Sequence, residues 1–272
     1  MLTNNGKTAL IRYIGKYNSD LVTDLAIGAG AKSESASDSS LDLQFYSVPV
    51  ETISVDQISK KIYYKSTLPI DLVGKIYEVG AFYKSGLSDN AQFSSVVFNF
   101  DQNYESWSTF ASGSNSRTGN SMLLAAATSA TTVTTLQNFL FNLSTIGYGS
   151  LIKMGIYSNA NTQSVTLKLG TDSSNYYQKT FSTIVSGYQV LSDTFENFTK
   201  VGTPDIESIA YAQLTIVAKS SGSSSVEFDI IVIEDSASFS AGTVLVGRKL
   251  LTVPVDKLAG QELEIQYELD IT

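Results

Sequence analysis

Residues 262–271 read ELEIQYELDI, and their alternation decides the fold class. Leu263, Ile265, Tyr267, Leu269 and Ile271 fall on one side of an extended chain, and Glu262, Glu264, Gln266, Glu268 and Asp270 on the other, because successive side chains of a strand point to opposite faces. A strand with one wet face needs partners that cover the other. Residues 236–272 alone are too few to build a core, so strands at 243–254 and 261–271 are expected to pair with strands from the far end of the chain. Apolar runs of β character stand there at 22–28 (VTDLAIG), 44–54, 60–68 (KKIYYKSTL), 76–83 (IYEVGAFY) and 93–100 (FSSVVFNF), separated by Gly, Ser, Asp and Asn. Before them, Thr3 is a helix N-cap and Leu10, Ile11, Ile14 and Tyr17 recur at helical spacing, which predicts one amphipathic helix over 4–17.

The segment between these flanks differs in composition. The flanks, 1–98 and 236–272, hold 27 charged residues in 135, whereas 99–235 holds 17 in 137 and is rich in Ser, Thr, Asn and Gly. Short strand signals recur there at 121–126, 133–141, 151–158, 164–169, 176–181, 188–193, 209–217 and 226–233. Val165, Leu167 and Leu169 alternate with Thr166 and Lys168, and Val226, Phe228, Ile230 and Val232 with Glu227 and Asp229. About eight such strands with polar turns form a two-sheet sandwich. The expected fold is therefore mostly β: a discontinuous small α+β domain from 1–98 and 236–272 with one N-terminal helix, carrying an inserted β-sandwich at 99–235.

Composition removes most chemistries. The 272 residues contain neither Cys nor His, so disulfides, thiolate nucleophiles, Cys/His zinc sites and imidazole bases are excluded. A net charge of −8 and only two adjacent basic pairs, Lys60-Lys61 and Arg248-Lys249, argue against a nucleic-acid partner. No run approaches ~18 apolar residues and no signal-peptide pattern opens the sequence, so neither membrane insertion nor export by that route is expected. Gly28-Ala29-Gly30 lacks the third glycine and the helix of a phosphate loop and reads as a turn. Glu196, Asp205 and Glu207 lie in a turn-rich connection and match no catalytic motif for paired carboxylates, so the chain is read as no enzyme.

Two resemblances follow from the wording of the sequence. FDQNYESWSTFASGSNSRTGNSMLLAA, LKLGTDSSNYYQKTF, GYQVLSDTFENFTKVGTPDIESIAYAQLTI and VEFDIIVIED, whose order spans nearly all of 99–235, resemble jelly-roll modules of the galactose-binding and carbohydrate-binding type. The flanks, through LTNNGKTALIRYI, LAIGAGA with SESASDSSLD after it, IYEVGAFYKSG and RKLLTVPVDKLAGQELEIQYEL, are similar to a small module of tailed-bacteriophage structural proteins. Together they imply a non-enzymatic virion component, in a tail fibre, baseplate, neck or capsid surface, that displays the jelly roll and is assembled in the host cytoplasm. Its partners would be other virion proteins, copies of itself in a symmetric oligomer with a trimer favoured, and a host cell-surface glycan. The alternative is a free carbohydrate-binding adhesin or lectin-like module, with a carbohydrate-active enzyme third.

For a sugar, the candidate residues are Asp172, Asn175, Tyr176 and Tyr177. A sugar needs an apolar ring for its CH face and fixed donors and acceptors for its hydroxyls, and on a strand one of two adjacent tyrosines must point outward. The competing reading is an exposed turn with one surface Tyr. Trp107 packs into a core or stacks on a sugar, the core being the commoner place near a first strand. No cofactor is certain; a structural calcium is a candidate at Asp101, Glu105 and Asp229, since the first and last strands of a jelly roll lie close and the resembling family often holds calcium at that edge. The alternative there is three separate, solvated acids.

Overall fold

The computed structural model describes residues 1–15, 21–84, 95–100, 105–143, 150–234 and 243–270. One helix, α1 (Asn4–Ile14), is followed by β1 (Asp24–Gly28), β2 (Gln44–Pro49), β3 (Thr52–Asp56), β4 (Lys61–Leu68), β5 (Gly74–Lys84) and β6 (Ser95–Phe98). Next come β7 (Met122–Ala126), β8 (Thr131–Phe141), β9 (Leu151–Ser158), β10 (Thr162–Gly170), β11 (Tyr176–Phe181) and β12 (Gly187–Thr194). The last are β13 (Thr199–Val201), β14 (Ile209–Ala218), β15 (Ser224–Glu234), β16 (Thr243–Lys257) and β17 (Leu263–Asp270). The protein is mostly β, with antiparallel sheets throughout. Two compact units emerge, Met1–Ser94 with Asp235–Thr272, and Ser95–Glu234.

In the first unit, β16-β5-β1-β2 form one sheet and β17-β4-β3 another. Strand β17 lies along β4 from Leu263↔Leu68 to Asp270↔Lys61, and Ile265, Tyr267 and Leu269 bury one face while Glu264, Gln266 and Glu268 stay exposed. The sequence run 44–54 is two strands, broken after Pro49, which has no N–H to continue a ladder. The expected helix is shorter than 4–17: Thr3 Oγ1 accepts from the Gly6 N–H at 2.9 Å, and Gly15 is the C-cap. Its buried side is also different. Gly6 and Ala9 are buried, whereas Ile11 and Ile14 are 70% and 71% exposed; Tyr17 lies outside the described residues.

A buried ion cluster ties the Ser/Asp loop of this unit to its sheet. Arg248, 1% exposed, donates through Nε to Glu78 at 2.7 Å and through Nη1 to Asp38 at 2.9 Å, and its Nη2 reaches the Lys32 carbonyl at 2.7 Å. Glu78 in turn accepts from the Asp42 and Leu43 N–H groups. Burial pushes the Glu78 carboxyl up, against the pull of the Arg248 guanidinium. Such a cluster adds little net stability when complete, but removing one partner strands a buried charge at a cost of about 3–5 kcal/mol.

In the second unit, β13-β11-β10-β14-β8 face β12-β9-β15-β6, with β7 also paired to β15. The core between them is made wholly of residues between Phe98 and Ile233, among them Val165, Leu167 and Leu169 of β10, Leu214 and Ile216 of β14, and Met154 and Ile156 of β9. Phe98 belongs here: β6 pairs with β15 at Ile231↔Phe98, so the run 93–100, assigned to the flank from sequence, supplies a strand to the sandwich. A second departure lies in β15. The register shifts between Phe228 and Ile230, so Val226 and Phe228 face the core before the bulge and Ile231 and Ile233 after it, not Ile230 and Val232. One extra residue reverses the phase of a strand. The register of β8 is also irregular beside Asn138 (φ 65°), where Gln137↔Tyr211 is followed by Phe141↔Ile209; beyond it Phe139 and Phe141 pack on the core and Leu140 is exposed.

Candidate functional site

The outer face of the five-stranded sheet follows from its registers. Because Leu167 faces the core opposite Leu214 and Lys179, and Leu169 faces it opposite Ala212 and Tyr177, their neighbours must point the other way. One row across that face runs Val201, Tyr176, Gly170, Tyr211 and Gln137. The next runs Thr199, Gln178, Lys168, Gln213 and Thr135, and the third holds Thr180, Thr166, Thr215 and Val133. Tyr176, Gln178, Lys168, Gln213, Thr135, Thr166 and Thr215 are half-buried. Thr166 and Thr180 share a hydrogen bond of 2.8 Å. Lys168 Nζ stands 4.3 Å from the centroid of the Tyr176 ring. Tyr211 forms the floor at 5% exposure, and burial raises its phenol above the ordinary value, with Tyr176 adding to the effect.

Tyr176 stands where it does because Gly170 has no side chain. A Cβ there would lie 2.2 Å from the Asn175 carbonyl oxygen and 2.5 Å from the Tyr176 Cα, so any other residue would push β11 away from the end of β10.

The turn that precedes Tyr176 is built from two of the predicted sugar ligands. Asp172 accepts from the Ser174 N–H at 2.7 Å, the Asn175 N–H at 3.0 Å and the Asn175 side-chain amide at 2.9 Å. The Asn175 Oδ1 takes the Thr203 N–H at 2.9 Å. The polar groups of both residues are engaged in holding the turn to the 202–205 loop, and the turn's own hydrogen bonds keep the Asp172 carboxyl below its usual range. Tyr177 is turned inward, 4% exposed, with its ring 4.8 Å from that of Phe195. A ring buried among core aromatics cannot stack on a ligand, so of the four candidates Tyr176 alone offers an accessible face. Lys168, Gln178 and Gln213, which share this face with Tyr176, are not among the sequence candidates. Their signal was present in the polar residues that alternate with apolar ones on central strands, which mark an outer face.

Two of the three candidate calcium ligands have other partners. Asp101 lies outside the described residues. Glu105 accepts from the Asn99 N–H at 2.8 Å and from Trp107 Nε1 at 2.7 Å, and the Trp107 ring is buried edge-on to Phe98 at 5.2 Å, in the core. Asp229 is 1% exposed and takes the Ser116, Thr118 and Tyr188 hydroxyls and the Arg117 and Thr118 N–H groups. It is buried and hydrogen-bonded, not a solvated acid. Two positions earlier, Glu227 accepts from Ser114 N–H, Asn115 N–H and side chain, and Ser121 Oγ. The two carboxylates thus hold the 113–121 loop against the second sheet. Among the described residues no group of three or more acids could hold a metal ion.

No protein-family model matches the chain, and no curated protein does. Among solved structures it is similar to a family 11 carbohydrate-binding module from Clostridium thermocellum, described in complex with a β-1,3-1,4-mixed-linked tetrasaccharide, at 15% identity over 53% of this chain and 96% of that one, with a TM-score of 0.41. A family 30 carbohydrate-binding module is similar at 11% identity over 46% and 83% of the two chains, TM-score 0.37. An agarase is similar at 11% identity over 54% of this chain and 25% of its own, TM-score 0.39. With scores below 0.5, function has to be argued from the residues of the face itself.

Proposed function

We propose that the chain is a non-catalytic glycan-binding protein, and that its Ser95–Glu234 unit holds polysaccharide on the outer face of the five-stranded sheet. The observation that carries this reading is the composition of that face: one accessible tyrosine ring set among amide, hydroxyl and ammonium groups on paired strands. Polysaccharides require this mixture, a flat apolar surface for sugar CH groups beside hydrogen-bonding groups held in fixed directions. Strands supply the fixity, since each of these side chains sits in a ladder whose other face is core. Among the described residues nothing favours a virion role over a free carbohydrate-binding module.

The test is Tyr176→Ala in the full chain, assayed by retardation in gels loaded with a panel of polysaccharides. An aromatic contact of about 1 kcal/mol corresponds to a roughly fivefold weaker affinity. The thermal midpoint should stay nearly unchanged, because the ring is half-exposed. Undiminished retardation of a correctly folded variant would remove the face from consideration.

A further inference from the structure

We propose that the polysaccharide held on this face is anionic, bearing uronate carboxylates or sulfate esters that Lys168 binds. This rests on the outer sheet face being the glycan surface and goes on to name the class of glycan. The face is unbalanced in charge. Of the side chains in its three rows, Lys168 alone is charged, and no carboxylate stands among them. Lys168 lies on β10, the middle strand of the sheet, between Gln178 on one side and Gln213 on the other. Among the described residues it forms no ion pair, and its contact is with the Tyr176 ring. Asp172 and Asp205 stand in the turns that adjoin the sheet. Asp172 is taken by its own turn, and Asp205 accepts from the Glu207 N–H at 2.9 Å.

A neutral sugar presents hydroxyls that donate as well as accept. Protein carboxylates meet them well, because an ionised carboxylate accepts on both oxygens. This face has no such acceptor. It offers an ammonium with three N–H donors and no lone pair, flanked by two amides that each add two donors beside a neutral carbonyl acceptor, so the one ionised group is a donor. A carboxylate or sulfate on the ligand fits that excess of donors, and hydrogen bonds between ionised partners are about twice as strong as neutral ones. The net charge of −8 on the chain repels a polyanion at long range. That repulsion is screened beyond about 8 Å at physiological ionic strength, so groups in direct contact decide the outcome. The ring of Tyr176 beneath the ammonium adds orientation, since a cation over an aromatic face is held there.

The experiment titrates the full chain with three soluble polymers: polygalacturonate for carboxylates, a sulfated galactan for sulfate esters, and a neutral mixed-linked β-glucan. The proposal expects one of the two charged polymers to bind at least tenfold more tightly than the neutral one, with the preference naming the anion. It expects Lys168→Met to lose tenfold or more on that polymer and Lys168→Arg to retain most of the binding. Lys200→Met serves as the control for net charge: it removes the same charge from the neighbouring edge strand, where Lys200 is paired with Tyr177 on the opposite side of the sheet, and should change little. Thermal midpoints of all variants are compared with the parent. Binding of the neutral glucan equal to that of the charged polymers, or a folded Lys168→Met variant with unchanged affinity, overturns the anionic class while leaving the face as a glycan surface. An equal loss in Lys200→Met and Lys168→Met overturns the local role of Lys168. Binding of none of the three polymers overturns both the class and the face.

Discussion

Glu227 and Asp229 show how much a residue's role depends on what the rest of the chain brings to it. Their alternation with Val226 and Phe228 places them on one side of a strand, and the sequence could not tell that side from open solvent. What decides it is the loop 113–121, more than a hundred residues earlier, whose N–H and hydroxyl groups converge on both acids. Burial opposes the charge on Glu227, but the Asn115 and Ser114 N–H groups, the Asn115 amide and the Ser121 hydroxyl outweigh it and hold the carboxyl below its ordinary 4.5. A depressed folded value means that this anchor contributes fully above the unfolded value and is lost as the pH falls through the folded one. We therefore expect Glu227→Gln to cost about 1–3 kcal/mol at neutral pH, the price of N–H groups left without an anionic acceptor, and the difference in thermal midpoint between parent and variant to narrow below pH 4.5. A gap that stays constant into acid would show that the carboxylate charge is not what holds the loop. The candidate sugar turn was legible to the same degree. That one of Tyr176 and Tyr177 faces out follows from strand geometry, but that Asp172 and Asn175 are engaged within the turn depends on Ser174 and Thr203, which no spacing rule selects.

At the scale of the element, periodicity located strands well and faces less well. The eight strand signals of the middle segment each correspond to a strand, yet β13 was missed because three residues, Thr199–Val201, carry no period. In β8 and β15 an irregular register reverses the face halfway along, a change that a count of alternating residues cannot register. Helix α1 departs for another reason. Leu10, Ile11 and Ile14 mark an apolar stripe, but the helix lies with Gly6 and Ala9 against β16, where small side chains allow the closest approach of backbones. A Cβ on Gly6 would stand 1.9 Å from the Val246 carbonyl oxygen. The Thr3 hydroxyl fixes the same contact, donating to the Leu245 carbonyl while it caps the helix. Gly6→Ala should accordingly destabilise by about 1–3 kcal/mol through overpacking, despite the better helix propensity of Ala. Ile14→Lys, on the exposed stripe, should stay within about 0.5 kcal/mol of the parent. Chemical denaturation of the two variants measures both, and the reverse order would place the helix on its apolar stripe instead.

At the scale of the whole chain, the break in charge density and the unpartnered apolar face of 262–271 already imply a domain interrupted by another. The pairing of strands explains how such an interruption is tolerated. Lys84, at the end of β5, is the cross-strand partner of Thr243, at the start of β16. In antiparallel ladders such partners have Cα atoms about 4.5–5.5 Å apart, the spacing that a two-residue turn closes. The sandwich leaves its own sheet in the same way, since Ser95 pairs with Ile233 on neighbouring antiparallel strands. The β5–β16 ladder thus ends as a hairpin's would, and among the described residues no sheet takes strands from both units. The strand boundary near residue 98 could not be placed from sequence because FSSVVFNF is equally apolar whichever sheet receives it; its pairing with β15 and the place of Phe98 and Phe100 in the sandwich core assign it. Replacing 85–242 with Asn-Gly, the pair that best closes a two-residue hairpin, should leave a soluble first unit with a cooperative unfolding transition. Deleting 235–272 from the full chain should instead unfold that unit, since it removes β16, which pairs with β5 and receives α1, and also β17, the partner of β4. Circular dichroism and thermal melting of the two proteins distinguish the cases. If the hairpin-closed form fails to fold while the truncated chain retains both transitions, the first unit is not built around β5–β16 and the insertion is more than a replaced turn.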